Sequence, residues 1–83
     1  MIKILKFGAP WCTQCKGLDL VIKDLDLPIE TINVDEDEEA AEKYNILSIP
    51  VLLFIDDDGK EVDRILGIVP KQEIINKYNE LNS

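Results

Sequence analysis

Phe7-Gly8-Ala9-Pro10-Trp11-Cys12-Thr13-Gln14-Cys15-Lys16 holds both cysteines of the chain, with two residues between them, at the junction of an apolar stretch and a helical pattern. Gly8, Ala9 and Pro10 break the first pattern. From Cys12 onward Leu18, Val21, Ile22 and Leu25 recur at helical spacing, which predicts a helix running to about Asp26. A cysteine pair at a helix start can close a disulfide across one turn. The first sulfur then faces backbone N–H groups that lack an intrahelical partner, at the positive end of the helix dipole. Such surroundings favour thiolate over thiol, so Cys12 reads as a reactive sulfur.

On the N-terminal side, Ile2 to Phe7 is apolar except for lysines, as expected of a strand buried on much of both faces. On the C-terminal side, Leu27-Pro28 stops the helix, because proline disfavours helical geometry in the residue before it. Ile29, Thr31, Ile32 and Val34 then predict a second strand, parallel to the first because a helix connects them. The acidic run Asp35 to Glu39 reads as the solvated start of a short second helix, where carboxylates complement the macrodipole, with Ala40, Ala41 and Tyr44 toward the sheet and an end near Asn45. Val51-Leu52-Leu53-Phe54-Ile55 is uninterrupted, short and rich in strand formers, hence a central strand. Asp56-Asp57-Asp58-Gly59-Lys60 marks a turn into Glu61–Leu66, an antiparallel edge strand by its partial alternation. The three aspartates could alternatively ligate calcium, though without the glutamate and paired helices of an EF-hand. Gly67 ends that strand, Pro70 suits the first turn of a last helix, and Ile74, Ile75, Tyr78 and Leu81 form its apolar stripe.

The 83 residues are expected to form one domain, 1–83, burying about 60–65% of the extended chain's surface. The formal net charge of −8 argues against nucleic acid or anionic membrane as a partner. No segment approaches the roughly 18 apolar residues of a membrane span, and the start Met1-Ile2-Lys3 lacks the pattern of a secretory signal, which predicts a cytoplasmic setting. There, two close cysteines point to catalysis or metal binding rather than to a structural bridge. Zinc takes four ligands, and with no histidine and no third cysteine only a dimer or recruited carboxylates could complete a site.

The order strand, helix, strand, helix, strand, strand, helix resembles the thioredoxin family over nearly the whole chain. The resemblance rests on Trp11-Cys12-Thr13-Gln14-Cys15-Lys16 opening the first helix, Ile49-Pro50 ahead of the apolar strand, Asp58-Gly59 in the hairpin and Gly67 after the last strand. It implies a thioredoxin-like three-layer α/β fold in minimal form, near glutaredoxin in size: a four-stranded mixed sheet and three helices (β-α-β-α-β-β-α), without the first strand and helix of full-length members. It also implies a protein-disulfide reductase, a dithiol electron carrier in cell redox homeostasis, whose redox-active centre is the Cys12–Cys15 disulfide/dithiol with no bound cofactor. Cys12 would attack a target disulfide and Cys15, one turn inward and more shielded, would resolve the mixed disulfide.

The resemblance also implies a substrate surface beside the cysteine pair. Ile49-Pro50 matches the place where the family's proline is cis and faces the cysteine pair, aiming the Ile49 backbone at an extended peptide; the plainer reading is a strand-entry proline. Trp11 would shape the surface beside Cys12, or simply pack there. Gly67 would let a substrate backbone come close, or simply end its strand. Disulfide-containing proteins are the implied partners, with the chain a monomer. Leu66-Gly67-Ile68-Val69 offers no charged groups for a glutathione tripeptide, which favours thioredoxin reductase as the reductant.

The chain departs from the family at Lys6, where many thioredoxins carry a buried aspartate behind the second cysteine, and at Thr31, where the family often has a lysine. Lys6 could be charged and favour the Cys15 thiolate, could be desolvated and accept its proton, or could lay its stem along the core with the ammonium in water. Thr13-Gln14 leaves the reduction potential open within the roughly −120 to −270 mV of this class. Two further readings stand beside the reductase: a thioredoxin-fold binding module using the surface around Trp11, Ile49 and Gly67 with incidental redox activity, and a zinc-bridged dimer.

Overall fold

A computed structural model describes residues 1–83 and contains seven elements: β1 (Lys3–Gly8), α1 (Thr13–Ile22), β2 (Ile29–Asn33), α2 (Glu38–Lys43), β3 (Val51–Ile55), β4 (Glu61–Leu66) and α3 (Lys71–Leu81). The sheet order is β2-β1-β3-β4. β1 and β2 run parallel, with Phe7 beside Ile32, and β3 is antiparallel to both β1 and β4, pairing Phe7 with Val51 and Val51 with Leu66. This is the expected mixed four-stranded sheet with three helices. The uninterrupted run of β3 is explained by its position, since all five of its residues are buried.

The period of two along β1 and β3 divides the core between the faces. Ile4, Leu52 and Phe54 pack with Leu18 of α1 and Ile74 of α3 on one side. Leu5, Phe7, Val51 and Leu53 pack with Ala40 and Tyr44 on the other. Tyr44 meets the Phe7 ring edge-on at 6.0 Å between centroids, and its hydroxyl donates to the Gly59 carbonyl at 2.9 Å, which seats α2 on the sheet.

Two local readings are corrected. α1 stops at Ile22 rather than near Asp26, and Leu25 and Leu27 reach the core from the loop instead. The chain has to turn back there so that Pro28 can accept the Ile4 N–H at 2.9 Å, the bond that starts the β1–β2 pairing. Pro70 caps α3 in extended geometry (ψ 146°) instead of lying within its first turn. The aspartates after β3 serve the turn: Asp56 Oδ1 accepts from the N–H groups of Asp58 and Lys60, both at 2.9 Å, and Asp57 meets the N-terminal ammonium. No three acidic or sulfur ligands converge anywhere in the chain.

Candidate active site

The C-terminal ends of β1, β2 and β4 and the N-terminal end of β3 lie at one edge of the sheet. The loops carrying Trp11, Cys12, Asp35, Ile49, Pro50 and Gly67 therefore gather there. Cys12 is the N-cap of α1 in extended geometry (φ −89°, ψ 110°), and its Sγ accepts the Cys15 N–H at 3.1 Å. An amide that the helix leaves unpaired thus points at the first sulfur, as a stabilised thiolate requires. Cys12 and Cys15 form a disulfide with their Cα atoms 5.2 Å apart. In this oxidised form both are buried, with 7% of Cys12 and 3% of Cys15 exposed.

Gly8 lies directly beneath the pair. A Cβ there would sit 3.2 Å from Cys15 Sγ and 3.6 Å from Lys6 Cε, so the missing side chain keeps room for both. Lys6 follows Ile2 and Ile4 on the row facing α1 and is itself buried. Its ammonium does not reach water along the core but pairs with the Asp19 carboxylate of α1. Lys6, Gly8, Cys15 and Asp19 line a cavity of about 370 Å³.

The Ile49–Pro50 peptide is cis, with Pro50 buried. Pro50 accepts the Gly67 N–H at 2.9 Å, and Gly67 has φ +78°, a left-handed conformation that glycine adopts without penalty. Trp11 is 68% exposed, and its indole Nε1–H donates to Asp35 Oδ2 at 2.7 Å.

Sequence reasoning missed two residues here. Asp19 stands four positions after Cys15, the spacing that puts two side chains on one helix face, and that was its available signal. Asp35 belongs by composition to a solvated acidic run; its signal is its place just past β2, on the loop beside the one that carries Trp11.

A sequence profile described as Thioredoxin matches residues 1–80. The chain belongs to the thioredoxin family. Thioredoxin of Bacillus subtilis (strain 168) is 41% identical over 86 residues, covering 93% of this chain and 82% of that protein. Thioredoxin of Chlamydia caviae is 35% identical over 82 residues, covering 93% and 79%. Among solved structures, the reduced thioredoxin pre-protein of Schistosoma mansoni superposes with a TM-score of 0.83 at 28% identity, covering 95% of this chain and 77% of that one. A Nicotiana alata thioredoxin gives 0.81 at 31% identity, covering 95% and 71%. With family membership and a cysteine pair in disulfide contact, this thioredoxin-family chain is a thiol–disulfide oxidoreductase. No helix in it is long and apolar enough to cross a membrane.

Proposed function

We propose that the chain reduces disulfides in proteins as a dithiol electron carrier, with Cys12 the nucleophile and Cys15 the resolving thiol. The observation that carries this reading is the Cys15 N–H directed at Cys12 Sγ from the first turn of α1. The Cys12 thiolate attacks one sulfur of a target disulfide, forming a mixed disulfide and releasing the other sulfur as a thiolate that takes up a proton. Cys15 then loses its proton and attacks Cys12 Sγ. The target's second sulfur leaves with the electron pair of the broken bond, and the oxidised pair remains. Holding Cys15 within the same helical turn makes this second step intramolecular.

Trp11, Ile49, Pro50 and Gly67 form the surface that receives the target, with an extended segment adding to the Ile49 backbone like a strand. Lys6 acts on Cys15 as a buried positive charge, in agreement with its pairing to Asp19. The centre needs no bound cofactor, because the sulfurs carry the electrons. A thioredoxin reductase is the partner that returns the pair to the dithiol, and the working form is a cytoplasmic monomer that engages neither nucleic acid nor membrane.

Insulin reduction followed by turbidity, with dithiothreitol or a thioredoxin reductase as electron source, tests this reading. Cys12→Ser is expected to abolish turnover, and Cys15→Ser to leave a covalent mixed disulfide. Full turnover by Cys12→Ser would refute the reading. Partner capture by Cys12→Ser as strong as that by the unaltered protein would favour a binding module.

A further inference from the structure

We propose that Asp19 is a positioning residue that acts on the second sulfur through Lys6: as the counter-charge of the buried ammonium, it limits how far that ammonium favours the Cys15 thiolate. The inference rests on the dithiol mechanism above.

Lys6 is 4% exposed, so its charge requires a partner. Its strand neighbours supply none: in the sheet register Lys6 stands beside Thr31 on β2 and Leu52 on β3. α1 brings the charged groups to the cavity, Asp19 and Lys16, and β2 adds only the uncharged Thr31 and Asn33. Asp19 is the carboxylate that meets the ammonium, and its own side chain is 52% exposed. Lys6 and Cys15 are neighbours across Gly8, as the approach of Lys6 Cε and Cys15 Sγ to the same vacant Cβ position shows.

The ammonium is thus paired with a half-exposed carboxylate and shares its cavity with a sulfur whose charge changes during the cycle. In the disulfide and in the thiol Cys15 is neutral, and Asp19 alone balances Lys6. When Cys15 gives up its proton to attack Cys12, a second anion appears beside the same ammonium. An ammonium already matched by a carboxylate lends less net attraction to that anion. The two substitutions therefore have opposite signs: removing the Asp19 charge eases Cys15 ionisation, and removing the Lys6 charge hinders it.

Single-turnover reaction of the reduced protein with dithiobis-nitrobenzoate tests this. Cys12 releases one coloured nitrothiobenzoate and Cys15 a second, so the second phase isolates resolution. Its pH midpoint is expected to fall by about one unit in Asp19→Asn, a tenfold change in thiolate fraction, and to rise by about as much in Lys6→Met. Asp19→Glu should restore the original midpoint. In the Lys6→Met background Asp19→Asn should have little further effect, because Asp19 acts through Lys6. Should Lys6→Met not fold, the half-exposed Asp19 position carries the test alone. An unchanged midpoint in folded Asp19→Asn, or equal shifts with and without Lys6, would overturn the assignment while leaving the dithiol mechanism intact. Absence of any second phase in the unaltered protein would remove both.

Discussion

Trp11 donates its indole N–H to Asp35 at 2.7 Å, tying the loop before the cysteines to the loop after β2. The bond fixes an exposed ring beside Cys12, and its partner is exposed too. Asp35→Ala should therefore cost less than about 1 kcal/mol of stability, as expected for one accessible hydrogen bond. It should release the ring, so that the change in Trp11 fluorescence between oxidised and reduced protein is altered and KM for insulin rises with kcat little changed. Equal KM and an unaltered fluorescence response would show that the bond does not order the ring in solution.

Gly8→Ala brings a methyl group to 3.2 Å from Cys15 Sγ, a contact the sulfur can relieve only by moving a few tenths of an ångström. The fold should persist, because the rest of β1 keeps its pairing. Resolution of the mixed disulfide should slow by more than the initial attack, measured as the second against the first phase of nitrothiobenzoate release. Equal slowing of both phases would contradict this.

Gly67→Ala isolates backbone strain, since nothing lies within 4 Å of the added methyl and φ is +78°. The left-handed conformation costs a residue with a Cβ about 1 kcal/mol, so urea denaturation should show a loss of that order. A neutral result would mean that the turn relaxes and that the Gly67–Pro50 hydrogen bond is lost, which amide exchange at residue 67 would reveal.

Two carboxyls on β4 make stability depend on pH. The hydrogen bond from Arg64 holds Glu61 below its ordinary value, and the hydrogen bond from Lys77, with the Arg64 backbone N–H, does the same for Asp63. A carboxyl lowered in the folded state contributes stability that is complete above its unfolded value, here 4.5 for Glu61 and 3.8 for Asp63, and is lost as pH falls through the lower folded value. Urea midpoints of the unaltered protein and Glu61→Gln should therefore differ at neutral pH and converge once pH falls below the lowered folded value of Glu61. The difference should stay under about 1 kcal/mol, because the pair is partly solvated. A difference that grows toward acid would reverse the assigned sign.

Much of the fold was legible because its signals are local. The apolar run Val51–Ile55 is a fully buried strand, the glycine and aspartates before Glu61 form a hairpin turn, and the Cys12–Cys15 spacing sets both sulfurs on the first turn of α1. What was not legible depends on contacts between distant segments. The end of α1 is set by where Pro28 must meet Ile4, and periodicity in Leu25 imitates a longer helix because the loop buries the same side chain. Lys6 could be recognised as a departure from the family, but the partner that holds its charge lies thirteen residues away on another element. Asp35 belongs to an acidic stretch whose other members suit a helix start, as Asp37 does by capping Ala40, so composition masked its different partner.

The activation of Cys12 by the start of α1 is tested by its alkylation rate with iodoacetamide as a function of pH, in reduced protein carrying Cys15→Ser. The rate should follow a single ionisation with a midpoint clearly below the roughly 8.5 of an ordinary cysteine. A midpoint at or above that value would contradict the reading of Cys12 as a helix-stabilised thiolate.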